Sequence, residues 1–295
     1  MRISDTQMQT MMLSSLHRSG SQYAELMQQM ATGNKINKPS DDPLASMKIM
    51  GIERQQSATA QYQKNIESLQ ARLSSQETYT SNMLNSLQRV NELIILSNND
   101  AVSQDGLDGI AIELTELRKS LMSAANAQDE NGAYLFSGHQ ITTPAIAADN
   151  SYQGDNGSRD VLVSKGTYMQ SNDTAATMFY ANGTNLFQAI DDAIAALKDP
   201  TVDHAAEIAV LNDAWLASFS SINTIQTEMG GRQKTLEQFL GSHAEVELFQ
   251  DTLLGKIESL DYAEATMEVN QISTALQATM ASYSQVNQLS LVDYF

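Results

Sequence analysis

Thr59, Tyr62, Ile66, Leu69, Leu73, Gln76, Thr80, Met83, Leu87, Val90 and Ile94 follow one another in steps of three and four residues without a slip. Such spacing puts every one of these side chains on a single stripe of a helix, the seam by which one helix packs along another. A strand alternates its faces every second residue and cannot hold this period. Thirty-six residues run from the first to the last of them. At about 1.5 Å of rise each, they predict a rod of about 54 Å.

The same spacing returns near both ends. Met12, Leu16, Ser19, Tyr23, Leu26 and Met30 mark a first helix that is expected to stop near Ala31. Thr32-Gly33-Asn34 follows, and Gly and Asn accept the left-handed backbone that closes a helix. Pro39 forbids continuation, and Asp42-Pro43 reads as the cap and first residue of the next helix. On the return, Leu236, Phe239, His243, Val246, Gln250, Leu253, Ile257 and Leu260 form a second long seam. Asp261 with Glu264 resembles a capping box. The final seam is Ile272, Leu276, Thr279, Tyr283 and Val286.

Between these seams the texture changes. Asn98-Asn99-Asp100 ends the long rod, and Ile110, Leu114, Leu117 and Leu121 predict a third helix ending near Asp129–Gly132. From Gly132 to about Gly183 the chain is rich in Gly, Asn, Asp, Thr and Tyr. Turns are expected at Tyr152–Gly157 and at Lys165-Gly166, the latter flanked by Val161, Val163, Tyr168 and Met169. Helix returns through Leu186, Ile190, Ile194 and Leu197, stops at Asp199-Pro200, and resumes through Trp215, Ile222 and Ile225.

The expected fold is therefore mainly α: a long antiparallel helical bundle or coiled coil built from both ends of the chain, with a small β-rich insertion in the middle. Three parts are expected. Residues 1–40 with 262–295 form a paired-helix inner domain, 41–138 with 184–261 a helical bundle, and 139–183 a small outer β-rich domain. Met12, Leu16, Tyr23, Leu26, Met30, Ile272, Leu276, Thr279, Tyr283 and Val286 are the candidate inner assembly seam. Ile66, Leu69, Leu73, Met83, Leu87, Val90, Ile94, Leu236, Val246, Leu253 and Ile257 are the candidate bundle seam.

Charge and composition narrow the function. The net charge is −18, which sets the chain against nucleic acid and anionic membranes. The charge is uneven. Residues 1–96 carry nine Lys/Arg against eight Asp/Glu, residues 97–230 five against 18, and residues 231–295 three against nine. The acidic middle suits solvent, and the near-neutral first third suits packing on protein. The thin N-terminal seam offers five apolar side chains, too few to offset the entropy of ordering about thirty residues. Both outer segments are thus expected to be weakly ordered until other chains cover them. Eight of the 15 methionines lie in the first 50 residues, and methionine adapts to several packings.

No catalytic constellation emerges. Cysteine is absent, and His17, His139, His204 and His243 are far apart; His243 falls on a seam, where it reads as a packed histidine. Asp149, Ser151, Gln153, Gly154 and Asp160 only loosely follow a calcium loop: Asp stands at the twelfth position, and the flanks read as strand. They read better as a turn with solvated acids. Asp41-Asp42 and Asp191-Asp192 read as caps at helix starts. The chain is read as a non-enzyme with no cofactor and no metal. No signal-peptide core and no spanning apolar run are present.

Four segments carry a resemblance. Met30–Pro43 (MATGNKINKPSDDP) resembles the "STGKRINRPSDDP" element of flagellin-like proteins, and Asn131–Gly138 (NGAYLFSG) their "NGRYIFAG" element. Tyr152–Val163 is similar to the family's "YQGDNGSRQVQV" hairpin, and Ser259–Ala265 through Leu289–Phe295 to its C-terminal helix ending "SLLDYL". Pro39-Ser40-Asp41-Asp42-Pro43 stands where filament flagellins carry "AADDAAG", and the ending Asp293-Tyr294-Phe295 also departs from theirs. The resemblance therefore points to the hook–filament junction branch of the flagellin-like family. It implies a structural subunit of the bacterial flagellum, forming a ring with its own copies between hook and filament. Its implied partners are the neighbouring hook-associated junction protein, flagellin and an export chaperone, with neither nucleic acid nor membrane insertion. It also implies type III export without a cleaved signal peptide to an extracellular place on the flagellum. A filament flagellin, or a secreted adhesin-like binding protein, is the alternative reading.

Overall fold

The computed structural model describes residues 2–99 and 101–292. Seven α-helices are described: α1 (Arg2–Thr32), α2 (Pro43–Ser97), α3 (Gln104–Ala125), α4 (Ala175–Phe179), α5 (Leu186–Lys198), α6 (Ala205–Glu258) and α7 (Tyr262–Val292). A two-stranded antiparallel hairpin, β1 (Asp160–Ser164) and β2 (Thr167–Gln170), and a 3-10 turn (Ala181–Gly183) complete the described elements. The fold is mainly α with a small β insertion.

Local chemistry explains the boundaries. Gly33, at φ +75°, closes α1, a conformation that glycine adopts without cost to a Cβ. The Asp42 carboxylate accepts the N–H groups of Leu44 and Ala45, both at 3.0 Å, with Pro43 at the first helical position where no donor is needed. The Asp261 carboxylate accepts from Ala263 and Glu264 at 2.9 and 3.2 Å and starts α7. The third helix ends at Ala125, short of the expected Asp129–Gly132. The amide of Asn126 leaves the helix to exchange both bonds with the Ile146 backbone, at 2.8 and 2.9 Å. The helix through Trp215 and the seam that starts at Leu236 are one continuous α6, with Gly230 and Gly231 inside it.

The chain divides into two compact units, Met1–Ala58 with Glu245–Phe295 and Thr59–Ala244. Helices α2 and α6 pass through 58/59 and 244/245 unbroken, so no local signal marks those places.

Unit Thr59–Ala244 holds the main core. Ile66, Leu69, Leu73, Met83, Leu87, Val90 and Ile94 of α2 are all buried, as is Leu236 of α6. Helices α3 and α5 pack together, and Phe179 meets Phe187 edge-on at 5.1 Å. Trp215 donates its indole N–H to the Leu87 carbonyl at 2.8 Å, which satisfies its polar end while the ring packs on Phe219.

From the middle of the chain, Phe136, Ile146, Val163, Met178 and Phe179 are buried in the same cluster as the helices. The hairpin pairs Val161 with Met169 and Leu162 with Tyr168 around the Lys165-Gly166 turn. It is held from the helices. Asn65 donates to the Leu162 carbonyl at 2.9 Å, the His243 ring meets the Val163 carbonyl at 2.9 Å, and Gln76 donates to the Ser171 carbonyl at 3.0 Å. His243 is a packed histidine, stacked on Tyr62 and Phe239. The Tyr152–Gly157 stretch turns without forming a strand pair of its own with Asp160–Ser164. At Asp149, the carboxylate accepts from the Ser151 N–H and hydroxyl at 3.0 and 2.5 Å, a closed turn.

Two bundle-seam positions need correction. Val246 and Leu253 are 41% and 36% exposed. In this stretch of α6, His243 and Gln250 are buried and Leu254, Ile257 and Glu258 are half-buried, so full cover comes only at two positions seven apart. The neighbour there is the first part of α2, whose Gln56 donates to Asp251 at 2.7 Å. A single flanking helix covers a narrow stripe, and residues one step round it face outward.

Candidate assembly interface

Helices α1 and α7 pack antiparallel within unit Met1–Ala58/Glu245–Phe295. Near the α1 start, Met8, Met11, Met12 and Ser15 share a groove with Thr279; near its end, Leu26 and Gln29 line a cleft with Ala265 and Glu264. The heptad positions form the covered stripe. Leu26 and Ala265 are buried, while Met12, Leu16, Tyr23, Met30, Ile272, Leu276, Thr279 and Tyr283 are half-buried. Nine of the ten inner-seam candidates thus lie on partly or fully covered positions of their helices; the side chain of Val286 lies outside the described residues. Two helices alone hide only the line along which they touch, so half-burial is what a lone pair allows.

A short crosspiece fixes where the helices meet. Lys35 N–H donates to the Glu258 carbonyl at 2.7 Å and Leu260 N–H to the Gly33 carbonyl at 3.0 Å, an antiparallel bridge centred on Asn34 and Ser259. The Tyr262 hydroxyl donates to the Met30 carbonyl at 3.1 Å. A Cβ on Gly33 would sit 3.3 Å from that hydroxyl. The loop into α2 folds on itself: Asn37 and Lys38 N–H groups donate to the Asp41 carboxylate at 3.2 and 2.9 Å. Glu25, Asp41, Asp42, Asp261, Glu264 and Glu268 face one cleft of about 370 Å³ with Lys35, so this end of the helix pair is strongly acidic.

Outside the covered stripe the unit is unusually apolar. Leu44, Met47 and Met50 project from α2, Val246, Leu248, Phe249 and Leu253 from α6, and Tyr262, Met267 and Met280 from α7. Apart from Val246 and Leu253, which the seam of α6 includes, these residues lie off the seams, because a reading of one apolar stripe per helix passes over a second one. The signal was present in the three-residue steps of Leu44, Met47 and Met50. Isolated exposed apolar residues are ordinary; a concentration of them on one unit marks a surface made for protein. Among the described residues, no group of His, Asp or Glu is arranged to hold a metal ion, and no helix is long and apolar enough to cross a membrane.

Residues 3–141 match the family model of the bacterial flagellin N-terminal helical region. The flagellar hook-associated protein 3 of Escherichia coli strain K12 is 26% identical over 312 residues, which cover 99% of this chain and 98% of that one. A solved flagellar hook-associated protein from Vibrio parahaemolyticus is 35% identical, with a TM-score of 0.70 over 74% of this chain and 100% of that one. The flagellar hook-associated protein-3 structure from Legionella pneumophila is 16% identical and has the same fold, with a TM-score of 0.63 over 71% of this chain and 98% of that one.

Proposed function

Because the chain belongs to the flagellar hook-associated proteins, we propose that its terminal unit is the part by which subunits join one another and their flagellar neighbours. The chain is a structural subunit of the hook–filament junction. Its seam along α1 and α7 makes an inner layer, residues 41–138 with 184–261 the packing bundle, and residues 139–183 a face toward the medium. The partners are further copies of itself in a ring, the hook-side junction protein, flagellin and, before export, a chaperone. It acts on no substrate and works by geometry.

The observation that carries this reading is the half-covered α1–α7 seam within a unit that also leaves Leu44, Phe249 and Met267 in solvent. A finished surface would not keep so much apolar area wet. Absence of cysteine suits passage as an unfolded chain, since no disulfide can lock it beforehand. Export without a cleaved signal and an extracellular place on the flagellum follow from the same reading.

Purified subunit added to isolated hooks bearing the hook-side junction protein tests it. One further layer should add and growth should stop. Indefinite growth would instead mark a filament flagellin. Cells lacking the gene should keep their hooks and shed flagellin into the medium; normal filaments on such cells would overturn the assignment.

A further inference from the structure

The methionines are segregated by exposure. Among the described residues, Met8, Met11 and Met27 on α1, Met47 and Met50 on α2, and Met267 and Met280 on α7 are 45% to 66% exposed. All belong to the unit built from the two ends of the chain. In unit Thr59–Ala244, Met83, Met178 and Met229 are 0% to 1% exposed, and Met122 and Met169 are partly covered against the core. The large exposed apolar residues of that unit are Ile, Leu, Val and Tyr, with no methionine among those described.

This division has a chemical meaning. A thioether is the one apolar side chain here that mild oxidants convert quickly, and its product is polar and chiral. We propose that the exposed methionines of the terminal unit are oxidant-modification sites, and that their conversion to sulfoxides blocks assembly of the free subunit. The inference rests on the proposed assembly role of that unit. In the reaction the sulfur lone pair attacks one oxygen of hydrogen peroxide. The S–O bond forms as the O–O bond breaks, the departing hydroxide takes the remaining proton and leaves as water, and sulfur is oxidised while peroxide is reduced. Each sulfoxide places a strong acceptor on a surface that must become dry, without a donor opposite it. The core methionines stay reduced, so the modified subunit keeps its fold and loses only its adhesion. Methionine sulfoxide reductases reverse the change.

The test uses the full-length subunit treated with hydrogen peroxide. Peptide mapping by mass spectrometry should find the seven exposed positions oxidised about tenfold or more faster than Met83, Met178 and Met229. Circular dichroism should be unchanged, and incorporation onto hooks should fall about tenfold, then return after treatment with the two reductases. A variant with all seven replaced by Leu is compared with itself: whatever its untreated level of incorporation, that level should be the same before and after peroxide. Equal oxidation of core and surface methionines, or undiminished incorporation of the oxidised subunit, would overturn the proposal. Untreated wild type failing to incorporate would instead count against the assembly reading itself.

Discussion

Arg232 holds Asp173 with both terminal nitrogens: Nη1 donates to Oδ2 at 3.1 Å and Nη2 to Oδ1 at 2.9 Å, with side chains only 13% and 7% exposed. The pair ties α6 to the turn that begins α4. Removing Asp173 leaves the covered Arg232 with only the exposed Glu228 carboxylate at 3.3 Å as counter-charge, which costs up to about 3–5 kcal/mol. Asp173→Ala should therefore lower the urea stability of unit Thr59–Ala244 by that amount. Asp173→Ala with Arg232→Met should recover much of it. Equal losses in the single and double variants would show that the charge is not the cause.

Asp129 offers a pH test. Burial pushes its carboxyl up, but the Ala133 and Asn131 N–H groups and the Arg72 guanidinium outweigh this and hold it below the usual carboxylate value. The distances are 3.0, 2.9 and 2.9 Å. A carboxyl lowered in the folded state contributes stability above its unfolded pKa and loses it as pH falls through the folded value. Asp129→Asn should lower the urea midpoint at pH 7, with the difference from wild type shrinking as pH falls below the ordinary carboxylate range. A difference that persists undiminished in acid would exclude the charge as its source.

Gly138 ends the matched Asn131–Gly138 segment for a steric reason. Its φ is +74°, and a Cβ there would lie 2.2 Å from the backbone oxygen of Asp155. A backbone atom cannot swing aside as a side chain can. Gly138→Ala should destabilise unit Thr59–Ala244 by at least about 2 kcal/mol. A thermal midpoint equal to wild type would contradict this.

Leu276 and Tyr283 separate assembly from folding. Both are half-buried on the α7 seam and lie outside the main core. Leu276→Asp or Tyr283→Asp should abolish incorporation onto hooks while the main thermal transition keeps its midpoint. A large drop in that midpoint would assign these residues to the folding of the subunit instead.

The helical period made the α2 face that meets the core legible, because steps of three and four leave one stripe and burial followed it from Ile66 to Ile94. What the period does not carry is who sits opposite. Gln76 lies on the α2 seam, yet its partner is the Ser171 carbonyl, 95 positions away, and only tertiary structure makes that meeting. Val246 and Leu253 share the spacing of their buried neighbours but face outward, since the width of cover depends on how many helices flank α6 there. Phe136 and Phe179 stand in Gly- and Asn-rich sequence without periodic company, so their place in the core left no local trace. The second apolar stripe of α2, at Leu44, Met47 and Met50, could be read from spacing, but only by asking what a helix does with two faces.

The bridge between Asn34 and Ser259 acts on the gene as well as on the fold. It locks α1 and α7 at one end, so every residue added beyond it turns the rest of its helix by about 100°. A single-codon insertion in α1 between Leu16 and the bridge would rotate Met12 and Leu16 off their partner, whereas seven codons would restore the facing within about 20°. Length changes in these two helices should therefore survive in natural variants only as whole heptads, while the loops of the acidic middle vary one codon at a time.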